Sequence, residues 1–188
     1  GCGRIAGVMR HVLSEGSTVE MDGLGVFQPR KGGGIQFVPS RKPKVFLAYV
    51  EEDLPAVQRL YEAFRERGFD PWLDKEKLLP GQNWPRAIER SIEMADYFIA
   101  CFSRRAVSKR GCFQSELRYA LDCASRLPLD DVYFIPLRLE ECEVPPSIAR
   151  QTQYADLFPD WDAGLERVVA SMQKQSRRRR PQDLLLAG

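Results

Sequence analysis

The sequence has a single histidine, His11, and its five cysteines show no CxxC spacing. Zinc hydrolases, Ser-His-Asp triads and Cys-His pairs all need an imidazole close to the reacting atoms, so this composition argues against them. An odd number of widely spaced cysteines is also untypical of zinc sites and of secreted, disulfide-bonded domains. We therefore expect reduced thiols, no metal site, and any chemistry to depend on carboxylates, hydroxyls and backbone dipoles.

Long apolar runs are also missing. No stretch approaches the roughly 20 apolar residues that a membrane-spanning helix requires. The apolar residues near the amino terminus are interrupted by Arg4, Arg10 and His11, so no signal peptide is visible. The sequence therefore predicts a cytoplasmic protein without a membrane span.

The net charge is only +2, but it is unevenly distributed along the chain. Residues 1–44 carry seven Lys/Arg and three Asp/Glu, and residues 174–188 carry five and one, so each end has a net charge of +4. Residues 45–173 carry sixteen Lys/Arg and twenty-two Asp/Glu, a net charge of −6. Any affinity for polyanions is therefore expected at the two ends.

From Val45 onward, short apolar runs alternate with stretches of helical periodicity, which predicts an α/β fold with a five-stranded parallel sheet and helices on both faces. The predicted strands are Val45–Val50, Phe69–Leu73, Tyr97–Phe102, Val132–Leu137 and Gln153–Phe158. The predicted helices are one that starts after Asp53 as its N-cap and ends at Gly68, then Pro85–Met94, Phe113–Leu127 and Trp161–Met172. Ser103–Gly111 is predicted to be a polar and basic loop. Ligands of such sheets bind at the carboxyl ends of the strands.

Six segments within residues 43–173 resemble, in order, the conserved segments of a bacterial Toll/interleukin-1 receptor (TIR) domain. They are VFLAYVEED, WLDKEKLLPGQNWPRAIERSI, YFIACFS, SKRGCFQSELRYAL, FIPLRLEECEVP and QYADLFPDWDAGLERVV. The resemblance implies the flavodoxin-like TIR fold. It also implies that NAD⁺ is a substrate, cleaved by a glycohydrolase or cyclase activity in bacterial immune or cell-suicide signalling. No bound cofactor is expected.

The resemblance assigns the catalytic role to Glu116, in SKRGCFQSELRYAL. A carboxylate beside the ribose would stabilise the oxocarbenium-like transition state of glycosyl transfer. Two departures concern the same site: Cys112 stands where many NAD⁺-cleaving members have Trp, and Ala48 and Val50 stand where hydroxyl residues are common. The ligand-contacting positions that the resemblance implies are Ala48, Tyr49, Asp74, Trp84, Ser103 and Cys112.

Most of these residues also have a purely structural interpretation. The structural alternative for Glu116 is a solvated glutamate at the start of a helix, where the helix dipole favours it. Trp84 either stacks on a ring of the ligand or closes the core, Asp74 either binds ribose or caps a loop, and Tyr49 either contacts the ligand or forms an inert wall. The basic run Arg104, Arg105, Lys109 and Arg110 is either a solvated surface, a source of attraction for pyrophosphate, or a subunit contact.

Residues 74–84 resemble the BB loop of TIR domains, with Pro80-Gly81 suited to a type II turn. The loop is either a mobile lid or a surface for self-association. A non-catalytic scaffold that acts through TIR–TIR or partner assembly is therefore the alternative function.

The two ends of the chain differ from the middle. Residues 1–42 resemble part of an HU-type DNA-binding protein through EGSTVEMDGLGVF and IQFVPSRK, although RKGGG replaces the long basic arm. Strands at Ser17–Met21, Gly25–Pro29 and Ile35–Val38 predict a small β-meander whose role is dimerisation or docking, DNA contact in a nucleic-acid sensor, or a passive extension. Residues 174–188 predict a basic, disordered tail, with nucleic-acid, membrane-surface or docking contacts as alternatives.

Overall fold

The computed structural model describes residues 12–13, 15–21, 25–30, 33–39, 41–73, 83–109, 111–128 and 131–186. The chain divides into two units, residues 1–42 and residues 43–188.

The first unit contains an antiparallel sheet of three strands. These are β1 (Val19–Met21), β2 (Gly25–Pro29) and β3 (Ile35–Pro39), with β2 in the middle. Phe27 of β2 lies opposite Val19 on one side and Phe37 on the other. The predicted β-meander is confirmed, whereas the resemblance to HU-type proteins remains a prediction. The turn predicted at Asp22-Gly23 lies outside the described residues.

The second unit contains a five-stranded parallel sheet, as the sequence predicts. The strand order is β5-β4-β6-β7-β8, with β4 at Lys44–Ala48, β5 at Asp70–Trp72, β6 at Tyr97–Phe102, β7 at Phe134–Arg138 and β8 at Ala155–Asp156. The helices are a 3-10 turn at Glu51–Asp53, α1 (Leu54–Glu66), α2 (Trp84–Glu93), α3 (Arg104–Ser108), α4 (Cys112–Ser125), α5 (Pro146–Ala149) and α6 (Trp161–Leu186). Among the described residues, no helix is both long and apolar enough to cross a bilayer.

Helices cover both faces of this sheet because successive strand side chains point to opposite sides. Val45 and Leu47 of β4 pack into a core with α1 and α6, whereas Phe46 and Ala48 pack into a second core with α2 and α4. In the second core, Trp72, Phe46, Phe98 and Phe134 form a row of stacked rings across four neighbouring strands, with centroids 4.8, 5.2 and 5.7 Å apart. Each buried aromatic side chain contributes about 1.5–3 kcal/mol through burial, so this row is a major source of stability.

The beginning of α1 differs from the prediction. Asp53 occupies the N-cap position, but its side chain makes no capping hydrogen bond. The carboxylate accepts a hydrogen bond from the Ser103 hydroxyl instead. The end of this helix agrees with the prediction, since Gly68 adopts a φ of 84°, which a residue without a Cβ reaches at little cost.

The segment predicted as a loop from Ser103 to Gly111 contains the short helix α3. Ser103 is its N-cap, and the Ser103 hydroxyl accepts a hydrogen bond from the Ala106 amide at 3.1 Å. A serine followed by residues without glycine or proline allows one or two helical turns even in a polar segment, and this signal was not used in the prediction.

Helix α6 continues to Leu186, well past the predicted end of the domain at residue 173. Residues 174–180 are Lys, Gln, Ser and Arg, which include strong helix formers and no glycine or proline. Gln175 is only 4% exposed and donates to Asp131 at 2.5 Å, and Ser176 pairs with the Tyr97 hydroxyl at 2.8 Å. The α/β body therefore extends at least to Ser176, and the prediction of a disordered tail from residue 174 needs this correction.

Gly164 sets the position of α6 against β8. A Cβ atom at this residue would lie 2.1 Å from the carbonyl oxygen of Asp156. Only glycine allows the helix backbone to approach the strand this closely.

Candidate functional site

The carboxyl ends of the strands form one edge of the sheet, and we call this the carboxyl edge. It consists of the segments that follow β4 (residues 49–53), β6 (residues 103–111) and β7 (residues 139–145). After β5, Leu73 is buried in the core, and residues 74–82, which come next, lie outside the described residues. Asp74 and most of the predicted BB loop belong to that segment, so their roles remain predictions.

Glu116 lies in the second turn of α4. Phe113, Leu117 and Ala120 of this helix are buried in the core that also contains Phe46 and Ala48, and Glu116 is half-buried beside them. The Phe113 ring packs edge-on against the Phe102 ring at the last residue of β6, with centroids 5.8 Å apart. This contact brings the start of α4, and Glu116 with it, to the carboxyl edge.

Two predicted ligand contacts on the β4 side lie on opposite faces of the sheet. Ala48 is fully buried in the core shared with α2 and α4, which is the side of Glu116. Tyr49 is half-buried against the core shared with α1 and α6, which is the other side. The structure therefore brings Ala48, but not Tyr49, to the same face as Glu116.

Ser103 is at the carboxyl edge but is only 2% exposed. Its hydroxyl donates to Asp53 Oδ2 at 2.5 Å and accepts from the Ala106 amide at 3.1 Å. Because its only donor is used within the chain, this residue joins two segments of the protein rather than offering a hydrogen bond to a ligand.

The last two predicted contacts lie at helix starts. Cys112 is exposed and is the first residue of α4, preceded by Gly111 with a φ of 136°. Trp84 is the first residue of α2, and only its backbone belongs to the described part of the chain. The interpretations of Trp84 as a stacking platform or as a core residue both remain predictions.

Two residues of the basic run, Arg104 and Lys109, form hydrogen bonds with acidic residues that the sequence analysis did not single out. Lys109 Nζ lies 2.7 and 2.8 Å from the two carboxylate oxygens of Glu52, and this hydrogen bond lowers the pKa of the Glu52 carboxyl. The backbone amide of Arg104 donates to Glu140 at 3.0 Å, and its guanidinium donates to the carbonyl oxygen of Glu141 at 3.0 Å. The segments after β4, β6 and β7 are thus tied together by charged contacts.

Asp53 is a second residue that the sequence analysis missed as part of the site. Burial raises the pKa of its carboxyl, and the hydrogen bond from Ser103 lowers it by less, so that the net direction is upward. The only sequence signal was its position directly after an apolar strand, and that signal also suits a helix cap.

A third missed residue is Arg138, the last residue of β7. Its guanidinium makes a bidentate ion pair with Asp156 at 2.6 and 2.8 Å and donates to the carbonyl oxygen of Cys142 at 2.9 Å. It also lies over the rings of Tyr154 and Phe158, at 4.7 and 5.0 Å from their centroids. A lone arginine that ends an apolar strand was the available signal. This cluster fixes the segment after β7 at the carboxyl edge.

The described residues contain no group of three His, Cys, Asp or Glu side chains placed to hold a metal ion. What they offer is a half-buried carboxylate, Glu116, at the carboxyl edge, together with polar side chains that tie the surrounding segments to one another. A single carboxylate in such a place can stabilise a developing positive charge without a metal.

Known proteins have sequences and folds similar to those of this chain. A family model described as "TIR domain" matches residues 45–169. The TIR domain of the Toll-related receptor TRR-2 from Hydra magnipapillata aligns with 69% of this chain and 97% of its own, at 20% identity and a TM-score of 0.57. The TIR domains of the activated Roq1 resistosome, which recognises the pathogen effector XopQ, align with 71% of this chain and 98% of their own, at 17% identity and a TM-score of 0.52. A prokaryotic SEFIR domain aligns with 69% of this chain and 97% of its own, at 18% identity and a TM-score of 0.52. No curated protein sequence matches this chain.

Proposed function

Because this chain belongs to the TIR domain family, we propose that it cleaves the bond between nicotinamide and ribose in NAD⁺, with Glu116 as the catalytic carboxylate. The observation that carries this proposal is the place of Glu116. It is half-buried in the second turn of α4, and the preceding turn is held at the carboxyl edge by the contact between Phe113 and Phe102. Parallel α/β sheets bind ligands at this edge.

The reaction needs no metal and no general acid for the leaving group. When the glycosidic C–N bond breaks, its electron pair passes to the positively charged ring nitrogen, and nicotinamide leaves as a neutral molecule. The ribose carbon becomes oxocarbenium-like, and a neighbouring carboxylate stabilises the positive charge where it develops. Water completes a hydrolase reaction, and a nitrogen of the adenine ring completes a cyclase reaction.

Assembly is the second part of the proposal. The Roq1 TIR domains come from an activated resistosome, and self-association of this chain through residues 74–84 would place the predicted BB loop of one copy beside the Glu116 helix of the next. We infer a cytoplasmic bacterial enzyme that is dormant until it assembles, in immune or cell-suicide signalling. The three-stranded sheet of residues 1–42 is a candidate for dimerisation in that assembly.

The proposal is tested by product analysis. The purified protein at high concentration is incubated with NAD⁺, and nicotinamide, ADP-ribose and its cyclic isomers are measured by mass spectrometry. We expect the Glu116→Ala variant to lose about a hundredfold or more of the activity, the range typical for loss of one transition-state-stabilising group. Glu62→Ala is the matched control, since Glu62 is an exposed glutamate on α1, on the opposite face of the sheet. Undiminished nicotinamide release by Glu116→Ala would eliminate the catalytic assignment.

A scaffold without chemistry is the second candidate, and three observations on the predicted ligand contacts favour it. Ala48 is apolar and fully buried, the Ser103 hydroxyl donates to Asp53, and Tyr49 packs on the other face of the sheet. This candidate predicts no NAD⁺ binding by titration calorimetry, together with an apparent mass in light scattering that rises with protein concentration.

A further inference from the structure

The later part of α6 carries charge of one sign only. Residues 167–182, which we call the basic segment, contain six Lys or Arg and no Asp or Glu, so their formal charge is +6. The beginning of the helix differs, because its two acidic residues, Asp162 and Glu166, are paired with Arg59 and Arg67. The sequence of the basic segment supplies no carboxylate that would neutralise it.

The described part of the basic segment has one buried face and one exposed face. Val168, Val169 and Met172 are buried in the core that α6 shares with α1. The exposed residues lie between them at helical spacing and are Arg167, Ala170, Ser171, Gln173 and Lys174. The exposed face therefore combines cations with small and neutral side chains, which let a partner come close to the helix.

The place where this helix leaves the sheet is fixed by hydrogen bonds. Ser176 pairs at 2.8 Å with the hydroxyl of Tyr97, the first residue of β6. The buried Gln175 donates to Asp131, in the segment that leads into β7. Both contacts lie at the amino edge of the sheet, where the strands begin. Residues 177–186 continue the helix from this point, by about 15 Å at a rise of about 1.5 Å per residue.

The positions of the four arginines favour a partner that surrounds the helix. Successive residues of an α-helix are about 100° apart, so positions 177–180 are distributed around its whole circumference. A flat anionic surface, such as a membrane, reaches only the positions on one side. The major groove of B-form DNA is about 12 Å wide and admits an α-helix between two phosphate chains. The corresponding groove of A-form RNA is too narrow for this.

We propose that the basic segment binds duplex DNA, with the helix at residues 177–180 in the major groove and Lys174 beside a flanking phosphate. Arginine suits this role because its planar guanidinium binds phosphate oxygens in a bidentate manner. Contacts with phosphates carry no sequence information, so we expect binding to any base sequence. This surface is separate from the DNA contact predicted for residues 1–42.

Bound DNA would leave the carboxyl edge open, because the basic segment leaves the sheet at the opposite, amino edge. The Glu116 helix starts at the carboxyl edge, where the Phe113 ring contacts Phe102. The DNA surface therefore goes beyond the proposed NAD⁺ cleavage and does not depend on it.

The test measures the affinity of the whole chain for a fluorescently labelled DNA duplex by anisotropy over a series of salt concentrations. We expect the logarithm of the binding constant to fall against the logarithm of the salt concentration with a slope of about −4, the value for about four to five neutralised phosphates. Arg177→Gln combined with Arg178→Gln should bring the slope about two closer to zero, and Lys174→Gln about one. Glutamine is a good helix former, so these variants keep the helix.

The matched control is Arg41→Gln combined with Lys42→Gln. It removes the same number of positive charges from another exposed basic part of the chain. We expect its slope and its affinity for DNA to match those of wild type. Duplexes of unrelated base sequence should bind wild type equally well.

The shape of the partner is tested with an RNA duplex of the same length and with vesicles of phosphatidylserine and phosphatidylcholine. We expect the DNA duplex to bind several times more tightly than the RNA duplex at the same salt concentration. Vesicles should compete poorly with DNA for the protein.

Three results would overturn the proposal. The first is no detectable DNA binding at low salt. The second is a slope that changes as much in the Arg41 and Lys42 variant as in the Arg177 and Arg178 variant. The third is RNA or vesicle binding as tight as DNA binding. Nicotinamide release is measured without DNA, so failure of this surface is distinguishable from failure of the proposed enzyme.

Discussion

The middle of the parallel sheet holds its strands together with apolar side chains, whereas its carboxyl edge holds the departing segments together with charges. In the middle, Phe46 and Phe98 are fully buried and stack in one row. At the edge, the Asp53 carboxylate accepts a hydrogen bond from Ser103. Lys109 forms an ion pair with Glu52, and Arg138 forms an ion pair with Asp156.

Within one domain, the middle of the sheet thus supplies stability, and the polar groups that could take part in chemistry lie at the carboxyl edge. The stacked phenylalanines stabilise the sheet at every pH, because a phenylalanine ring has no titratable group. The polar contacts at the edge depend on protonation and ionic strength, so the edge responds to its surroundings while the middle does not. The NAD⁺ site that we propose lies on this responsive part.

The largest expected loss of stability comes from a substitution in the middle of the sheet. Phe98→Ala removes the ring between Phe46 and Phe134, and this residue has no exposed surface. Loss of a buried phenylalanine costs about 3–5 kcal/mol, a large part of the 5–15 kcal/mol total typical of a domain. Chemical denaturation should show a much lower midpoint. Met94→Ala, at a side chain that is 50% exposed, should leave the midpoint nearly unchanged. Similar decreases in midpoint for the two variants would show that the buried middle of the sheet contributes no more to stability than the surface does.

The second-largest expected loss of stability comes from a substitution at the carboxyl edge. Arg138→Met leaves Asp156 without its bidentate partner, and the two side chains are only 17% and 29% exposed. We expect a loss of about 2–3 kcal/mol, somewhat below the range for fully buried pairs. Adding Asp156→Asn should recover part of the loss, because the unpaired charge is then gone. Arg67→Met, which removes the more exposed pair with Glu166, should cost less than about 1 kcal/mol. Equal costs for the two arginines would show that the edge cluster is an ordinary surface ion pair.

The smallest effect concerns a polar group inside the core. The Tyr97 hydroxyl donates to the carbonyl oxygen of Met172 at 2.6 Å and pairs with Ser176 at 2.8 Å. Tyr97→Phe keeps the ring and should cost about 1 kcal/mol, the net value of a typical hydrogen bond. Thermal unfolding measures the cost, and amide exchange near residue 176 should speed up. A variant as stable as wild type would mean that the hydrogen bonds of the Tyr97 hydroxyl do not stabilise the packing of α6.

Elements in the middle of the sheet were also easier to predict from the sequence than elements at its margin. Tyr97–Phe102 was predicted with its observed bounds because six consecutive apolar residues have few alternatives to a strand covered on both faces. Gln153–Phe158 was predicted too long, since only Ala155 and Asp156 pair with β7. Pairing at the end of a sheet depends on a neighbouring strand far away in the sequence, and local patterns do not contain that information.

The site was less predictable because its contacts are long-range and polar. Glu116 came from a resemblance between motifs, since a glutamate at a helix start has no distinctive pattern of its own. Asp53 was predicted to cap α1, and nothing local shows that its partner is Ser103, 50 residues away. Arg138 was passed over for the same reason, because Asp156 and Tyr154 become its neighbours only once the sheet has formed.

The central claim is tested most directly by the rate of nicotinamide release per mole of protein, measured over a series of protein concentrations for wild type and Glu116→Gln. Gln keeps the size of the side chain and removes its charge, so a folded variant reports on the carboxylate alone. We predict that the wild-type rate per mole rises with concentration as the TIR domains assemble, and that Glu116→Gln remains about a hundredfold or more slower throughout. Equal rates for the two proteins, or no release by wild type at any concentration, would contradict the account.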